Sequence, residues 1–459
     1  MLELKYLESF APLLDKNQEL RSQTNIVRTL VISGGNVLQN QRREESGIFS
    51  RAWHGGAFGA CSLAGFDKQN VERVIKMAAE NAKTIAKFKK DFKDIPKRAH
   101  GRVISNAPFT DPEQIELLDF SKELDAYIQS KYPKLTNRVI RVAIECTKTQ
   151  LYSLDATSFE RTLPRAHIYV TLMTKDKDGL PVSLNGKLGG GGSFCDYFTS
   201  ISVFANELDK IYTQLMDKAE GVYSNAGVAD VILSADMAGI FAHEAVGHTT
   251  ESDNVRAGGI AAHNKGQKVA HEKVTLVDFA HSAFGQEAPM PIYVDDEGTP
   301  AEDVVIIKDG IMLDYMTNIQ DAPYINTTPK GNGRAYSYSD EPLVRMRNTC
   351  ILPGNDSFDD MIASIDNGYY LISNSNGQAD STSEFMFGIT MGYEIKNGKL
   401  GAAIKDTTIS GVAFDLLKTV DMVGKDISWA ASGYCGKKTP LGNAMGGPTL
   451  KCRLQIGGR

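Results

Sequence analysis

The sequence predicts an α+β protein in two parts: N-terminal helices on a sheet over residues 1–222, then a mostly β domain, barrel- or sandwich-like, over residues 223–459. Three observations carry that expectation. Two long stretches of the first part repeat apolar residues at helical spacing between strand-like runs. The second part is dense in short β-type runs broken by glycine and asparagine turns. A chain of 459 residues also exceeds one ordinary core, so two domains of roughly 200 residues each are natural.

Taken in order, an amphipathic stretch at 4–20 precedes a β-rich run at 26–32. Residues 70–92 place Val71, Val74, Ile75, Ala78, Ala82, Ile85 and Phe88 on one helical face, and residues 112–132 do the same with Leu117, Phe120, Leu124 and Ile128. Strand patterns return at 137–154 and 167–173. The glycine run 189–192 then reads as a flexible connection or as a place where a bound peptide approaches the backbone; it lacks the Lys-Ser/Thr of a phosphate loop. A third helix is expected at 201–221. Beyond it, residues 304–308 run into Asp309-Gly310 and Tyr393-Glu394-Ile395 precedes Asn397-Gly398, both hairpin dipeptides, with one helix near 358–366. Trp53-His54-Gly55-Gly56 reads as a turn, since no nucleophile motif accompanies it as in an esterase.

With 42% hydrophobic and 23% charged residues the chain has the composition of a folded globular protein. A formal charge of −6, spread over alternating stretches, gives no reason for it to collect on nucleic acid or anionic lipid. The basic cluster at 83–97 is interrupted by Asp91 and Asp94 and reads as a solvated helix face. No apolar run approaches the roughly 20 residues of a membrane helix, and Glu3, Lys5 and Glu8 stand where a secretory signal would be apolar, so a cytoplasmic protein is expected. The six cysteines, without C-x-x-C spacing, then read as reduced thiols.

The stretch Phe241-Ala242-His243-Glu244-Ala245-Val246-Gly247-His248 carries the chemistry. Neutral imidazoles bind zinc well, and a glutamate beside the first can take a proton from the activated water without occupying the metal. These are two of only eight histidines in the chain. In a regular α-helix, side chains five residues apart diverge by roughly 140°. A shared metal therefore requires a π-type turn, or a helix that ends before His248, with Gly247 at the cheapest place for the distortion. Spacing alone leaves open a pair of structural histidines near a helix end.

A third ligand must come from elsewhere. Cys435 sits in Gly433-Tyr434-Cys435-Gly436-Lys437-Lys438, where glycines allow a tight turn and lysines would favour thiolate. Cys452 lies in the alternating run 450–456 and reads as a strand residue. His263, His271, His281 or a carboxylate remain alternatives, while Glu251 and Asp253 are candidates to receive the second N–H of a ligating imidazole.

The stretch VADVILSADMAGIFAHEAVGHTTESD at 228–253 resembles the metal-binding segment of the TldD/PmbA family of zinc metallopeptidases, in its motif-bearing branch. Further likenesses are Asp295-Asp296-Glu297-Gly298-Thr299-Pro300, Pro329-Lys330-Gly331-Asn332-Gly333-Arg334, Gly377-Gln378-Ala379-Asp380, Cys435-Gly436-Lys437 and Pro448-Thr449-Leu450. In the first part the likeness is looser, at Gly47-Ile48-Phe49-Ser50 and near Gly190. The resemblance implies a zinc site of His243, His248 and Cys435, with Glu244 as general base for hydrolysis of unfolded or small peptides. It also implies a homodimer, or a heterodimer with a motif-lacking relative. Thr249 and Gly447, where the family often has glycine and glutamine, bear on substrate preference and remove no ligand. Two rival readings are a scaffold subunit with a closed structural metal site and a metal-dependent amidase acting on a non-peptide substrate. Family members have also been described as gyrase modulators, but this sequence shows no DNA-binding motif.

Overall fold

The first half is organised by long antiparallel pairing. In the computed structural model, which describes residues 3–90, 92–379 and 382–458, seven strands form one sheet. They are β1 (Gln18–Ser33), β2 (Asn36–His54), β3 (Ala57–Ala64), β4 (Gly101–Asn106), β5 (Asn137–Ser153), β6 (Thr157–Lys175) and β7 (Pro181–Gly191), in the order β3-β2-β1-β5-β6-β4 with β7 also on β6. Alternation assigns the two faces. Ile140, Val142 and Ile144 of β5 and Ile168, Val170 and Leu172 of β6 are buried under the helices Gln114–Lys131 and Ala205–Ala219. The intervening residues, among them Arg21, Gln23, Thr149, Arg161, Arg165 and His167, face the second half and are buried as well.

In the second half, strand β8 (Gly227–Leu233) and the strands Asn367–Ala379, Glu384–Lys396, Thr407–Val412 and Leu450–Ile456 close into a five-stranded barrel, with Asn367–Ala379 pairing to Glu384–Lys396 to complete the ring. A mixed sheet lies beside it, running Ile311–Met312, Val304–Lys308, Leu276–Phe279, Asn348–Ile351, Leu441–Gly447 and Ser428–Cys435. The last of these is an edge strand, called the cysteine strand below. The helix Ala235–Phe241 follows β8, capped by the Ser234 hydroxyl accepting from Met237 N–H, and is wedged between barrel and sheet. Gly239 lets it approach closely: a Cβ there would stand 3.0 Å from the backbone of Met445 and Gly446.

Most expected elements are present, with three corrections. The helix at 70–92 runs only over Lys68–Ala86; its final N–H groups turn to i−3 carbonyls, and Phe88 is 80% exposed rather than on the buried face. The stretch 4–20 forms only the short helix Leu4–Glu8 and a single turn before β1 begins. The glycine run is no connection: Gly189, Gly190 and Gly191 are strand residues paired to β6, where side chains would strike the Ala166 carbonyl, the Tyr197 ring and the Pro289 carbonyl. Asp309-Gly310 and Asn397-Gly398 adopt the positive φ of hairpin turns, as does Gly55-Gly56 between β2 and β3. Of the block Gly377-Gln378-Ala379-Asp380, Asp380 lies outside the described residues, as does Asp91. Among the described residues no helix is long and apolar enough to cross a membrane.

The halves meet through buried charge. Arg51 pairs with Glu19 at 2.7 Å and Glu297 at 2.9 Å, and Arg98 bridges Glu19 and the Glu297 carbonyl. Arg161 holds Asp296 and the Val294 carbonyl, and Arg21 donates to the carbonyls of Ser337 and Asp340. The block Asp295-Asp296-Glu297 thus serves the seam between the halves; Asp295 accepts from the N–H groups of Glu297, Thr299 and Gly333. Removing one partner of such a buried pair strands the other charge. Arg51→Met is expected to lower unfolding stability by about 3–5 kcal/mol in denaturant titration.

Candidate metal centre

The helix Ala235–Phe241 does not stop at the motif but widens. Residues Ala242–Gly247 form a π-helical turn, and His248 N–H donates to the His243 carbonyl, an i+5 to i bond. The two imidazoles consequently meet edge to face, with ring centroids 5.1 Å apart at 79°. Gly247 has an ordinary helical φ of −54°; its value is space, because a Cβ there would meet Met346 Sδ.

Ligand-capable atoms of His243, His248 and Cys435 lie within 4.8 Å of one another. Tetrahedral zinc with bonds of about 2.0–2.3 Å sets its ligand atoms about 3.3–3.8 Å apart. Cys435 Sγ and His248 Nε2, at 3.6 Å, already have that spacing, and the set closes with side-chain movements of about 1 Å. His248 Nδ1 sits 3.0 Å from Glu251 Oε2. A carboxylate only accepts, so Nδ1 carries the hydrogen and Nε2 is left facing Cys435. Glu244 Oε2 stands 3.7 Å from the same Nε2. Asn443 Nδ2 lies 3.2 Å from His243 Nδ1 and 3.3 Å from its Nε2, and fixes that buried ring.

The electrostatics suit a cation. Burial alone would raise the Cys435 thiol, but hydrogen bonds from His243 and His248 outweigh it and bring the pKa down to about 4. For His248 burial opposes charge, and the Glu251 carboxylate together with the Cys435 contact overcomes it, raising the pKa well above the usual value. The fully buried Glu251 is raised by burial and lowered further by His248 and Lys437, so it stays ionised. Thiolate and carboxylate thus draw positive charge to the point between the rings.

Lys437 is not what favours the thiolate. Its Nζ lies 3.1 Å from Glu251, 2.6 Å from Asp253 and 3.1 Å from the Val344 carbonyl. Buried Arg345 holds the same segment, with Nη2 donating to Cys435 O at 2.6 Å and Thr439 O at 3.1 Å, and Nη1 to Lys437 O at 3.0 Å. Sequence reasoning missed Arg345, Asn443 and this role of Lys437; the only signal was Lys437's place two residues from Cys435. The other candidates stay apart: His281 stacks on Tyr293, His271 Nδ1 accepts from Lys273 N–H, and His263 ends a short helical turn. Cys452 is buried in the barrel strand Leu450–Ile456, and burial pushes its thiol up.

A family model for the PmbA/TldA metallopeptidase C-terminal domain matches residues 226–458. The chain belongs to the PmbA/TldD family. It is 34% identical over 271 residues to a zinc metalloprotease TldD homolog of Saccharolobus solfataricus, covering 58% of this chain and 59% of the relative. A metalloprotease TldD homolog of Buchnera aphidicola is 29% identical, covering 96% of this chain and 92% of the relative. Two solved structures share the fold: TldE of Thermococcus kodakarensis (TM-score 0.73, 16% identity, covering 99% of both chains) and a Thermotoga maritima protein described as a candidate modulator of a DNA gyrase (TM-score 0.77, 16% identity, covering 98% of this chain and 99% of that one). The geometry generates a test that separates the two buried cysteines. Cys435→Ser is expected to lose metal on dialysis, read as metal content by mass spectrometry, while Cys452→Ser keeps it.

Proposed function

We propose that the chain is a zinc-dependent peptidase that hydrolyses unfolded or small peptides, with His243, His248 and Cys435 holding the metal and Glu244 acting as general base. The observation that carries this reading is the π turn, which brings two histidines together around Cys435 and leaves Glu244 beside them. A zinc ion held there would supply Lewis acidity, polarising a carbonyl and bringing the ionisation of water toward neutral pH. Glu244 accepts the proton that water gives up and returns it to the departing amine. It is suited to this because it is 22% exposed and lines a cavity of about 300 Å³ with Lys187, Ile240, Asn374, Ala430 and Gly433. Lys187 comes from β7 in the first half, so both halves wall the cavity.

Peptide is the substrate class this cavity suits because it runs between two strand edges. The cysteine strand pairs only with Leu441–Gly447 and β7 only with β6 among the described residues. The carbonyls of Ala431, Gly433 and Cys435 are taken by Arg165 and Arg345, so β7 is the edge that offers main-chain donors and acceptors to an extended chain, which gives affinity with little sequence demand. Peptides N-methylated at alternate residues are expected to be cut poorly relative to unmodified ones, and equal rates would rule out strand addition. Glu244→Gln keeps the shape and loses the base. It is expected to retain zinc while turnover drops about 10²- to 10⁴-fold, and near wild-type turnover would remove Glu244 from the mechanism.

A further inference from the structure

A second cavity, of about 790 Å³, continues along the same seam. One wall is apolar, with Trp429, Phe284, Met290, Ile427, Pro164 and Pro289, while Arg165, Asp196 and Glu287 bring charge to the lining and the glycines of β7 form one side. The two cavities are consecutive on β7 and lie on opposite faces of the cysteine strand. Lys187 lines the Glu244 cavity and Gly189 to Gly192 line this one; on the cysteine strand Ala430, Ser432 and Gly433 belong to the first, and Trp429 and Ala431, with Ile427 just before the strand, to the second. At about 3.3 Å per strand residue, Lys187 to Gly190 spans about 10 Å, or three residues of an extended peptide.

Two features set this wall apart from ordinary packing. Phe284 is 47% exposed although it borders the aromatic cluster of Phe279 and Trp429, and Ile427, on the same lining, is 40% exposed. Phe284 also has φ of 53°, in the left-handed region that bulky residues avoid, at the turn between Ser282–Ala283 and Gln286–Glu287. A glycine there would relieve the strain. The fold instead holds an exposed ring at the mouth of the cavity, 6.4 Å from Trp429. Arg165 closes the inner end, buried against Tyr434 and donating to the carbonyls of Ala431 and Gly433.

We infer that this cavity is a subsite for a bulky apolar side chain, aromatic above all, of an extended peptide whose hydrolysed bond lies at Glu244 about three residues away. The inference rests on the peptidase reading for that bond. A side chain the size of phenylalanine buried there contributes about a ten- to hundredfold gain in affinity over serine at the same place.

The test walks a single phenylalanine through otherwise identical fluorescent peptides of serine and glycine. One register, with the ring about three residues from the cleaved bond, is expected to lower KM ten- to hundredfold and leave kcat nearly unchanged. Trp429→Ala and, separately, Phe284→Ser are expected to erase the ratio between that peptide and the all-serine peptide. Because Phe284 sits on a hairpin tip, its replacement serves even if Trp429→Ala misfolds. A flat profile in the wild-type chain, or a preference that survives both substitutions, overturns the subsite. Anisotropy of the same peptides on Glu244→Gln separates the two readings. Binding that depends on the ring position, without hydrolysis by the wild-type chain, keeps the subsite and removes the peptidase; hydrolysis without ring dependence does the reverse.

Discussion

A single backbone hydrogen bond, from His248 N–H to the His243 carbonyl, sets the geometry on which the centre depends. In a regular α-helix these side chains would point roughly 140° apart. The wide turn brings the two rings together edge to face, and its cost is met locally. Ala242, Ala245 and Val246 are fully buried, and Met346 fills the space over Gly247. The hydroxyls of Thr249 and Thr250 donate to the carbonyls of Val246 and Gly247, which satisfies acceptors that the ending helix leaves open. Thr249 is therefore part of how this chain ends its helix.

From that turn the constraint passes outward through charge. His248 is held by Glu251, Glu251 by Lys437, and Lys437 lies two residues beyond Cys435, so helix and cysteine strand are tied by one chain of ions. The strand is gripped from both halves. Arg345 takes the carbonyls of Cys435, Lys437 and Thr439, and Arg165 takes those of Ala431 and Gly433. Guanidinium suits this task because its planar fork reaches several carbonyls at once and keeps its charge when buried.

What the sequence disclosed follows from which interactions are local. The π turn could be anticipated from His243 and His248 because their spacing is a statement about one helix. The hairpins at Asp309-Gly310 and Asn397-Gly398 were legible for the same reason, since positive φ is a demand on the residue itself. Helix ends were less so: Phe88 keeps the apolar period two residues past Ala86, yet nothing lies there for it to pack against. Cys435 stood out only weakly on local grounds, because what makes it special is its meeting with two histidines nearly two hundred positions earlier. Arg345 and Asn443 carry no local mark at all. Their roles exist only once Asn348–Ile351 and Leu441–Gly447 pair in parallel and bring the segments before and beside them under the helix.

The distribution of function over the halves follows from the same seam. All three ligand-capable residues and Glu244 lie within the family-matched region, residues 226–458, which invites the reading that the second half is the working part. Its cysteine strand is an edge, however, and walls only one side of the cavity that Glu244 lines. The other side is β7, with Lys187 facing the Glu244 cavity and the glycines continuing beyond it. The placement of β7 is fixed by the buried arginines of β2 and β6 on Asp296 and Glu297, far from the histidines in sequence. Such paired charges contribute little net stability but penalise any other docking, since a shifted interface would leave guanidinium and carboxylate groups buried alone. The same interactions that join the halves thereby set how far the cysteine strand stands from β7.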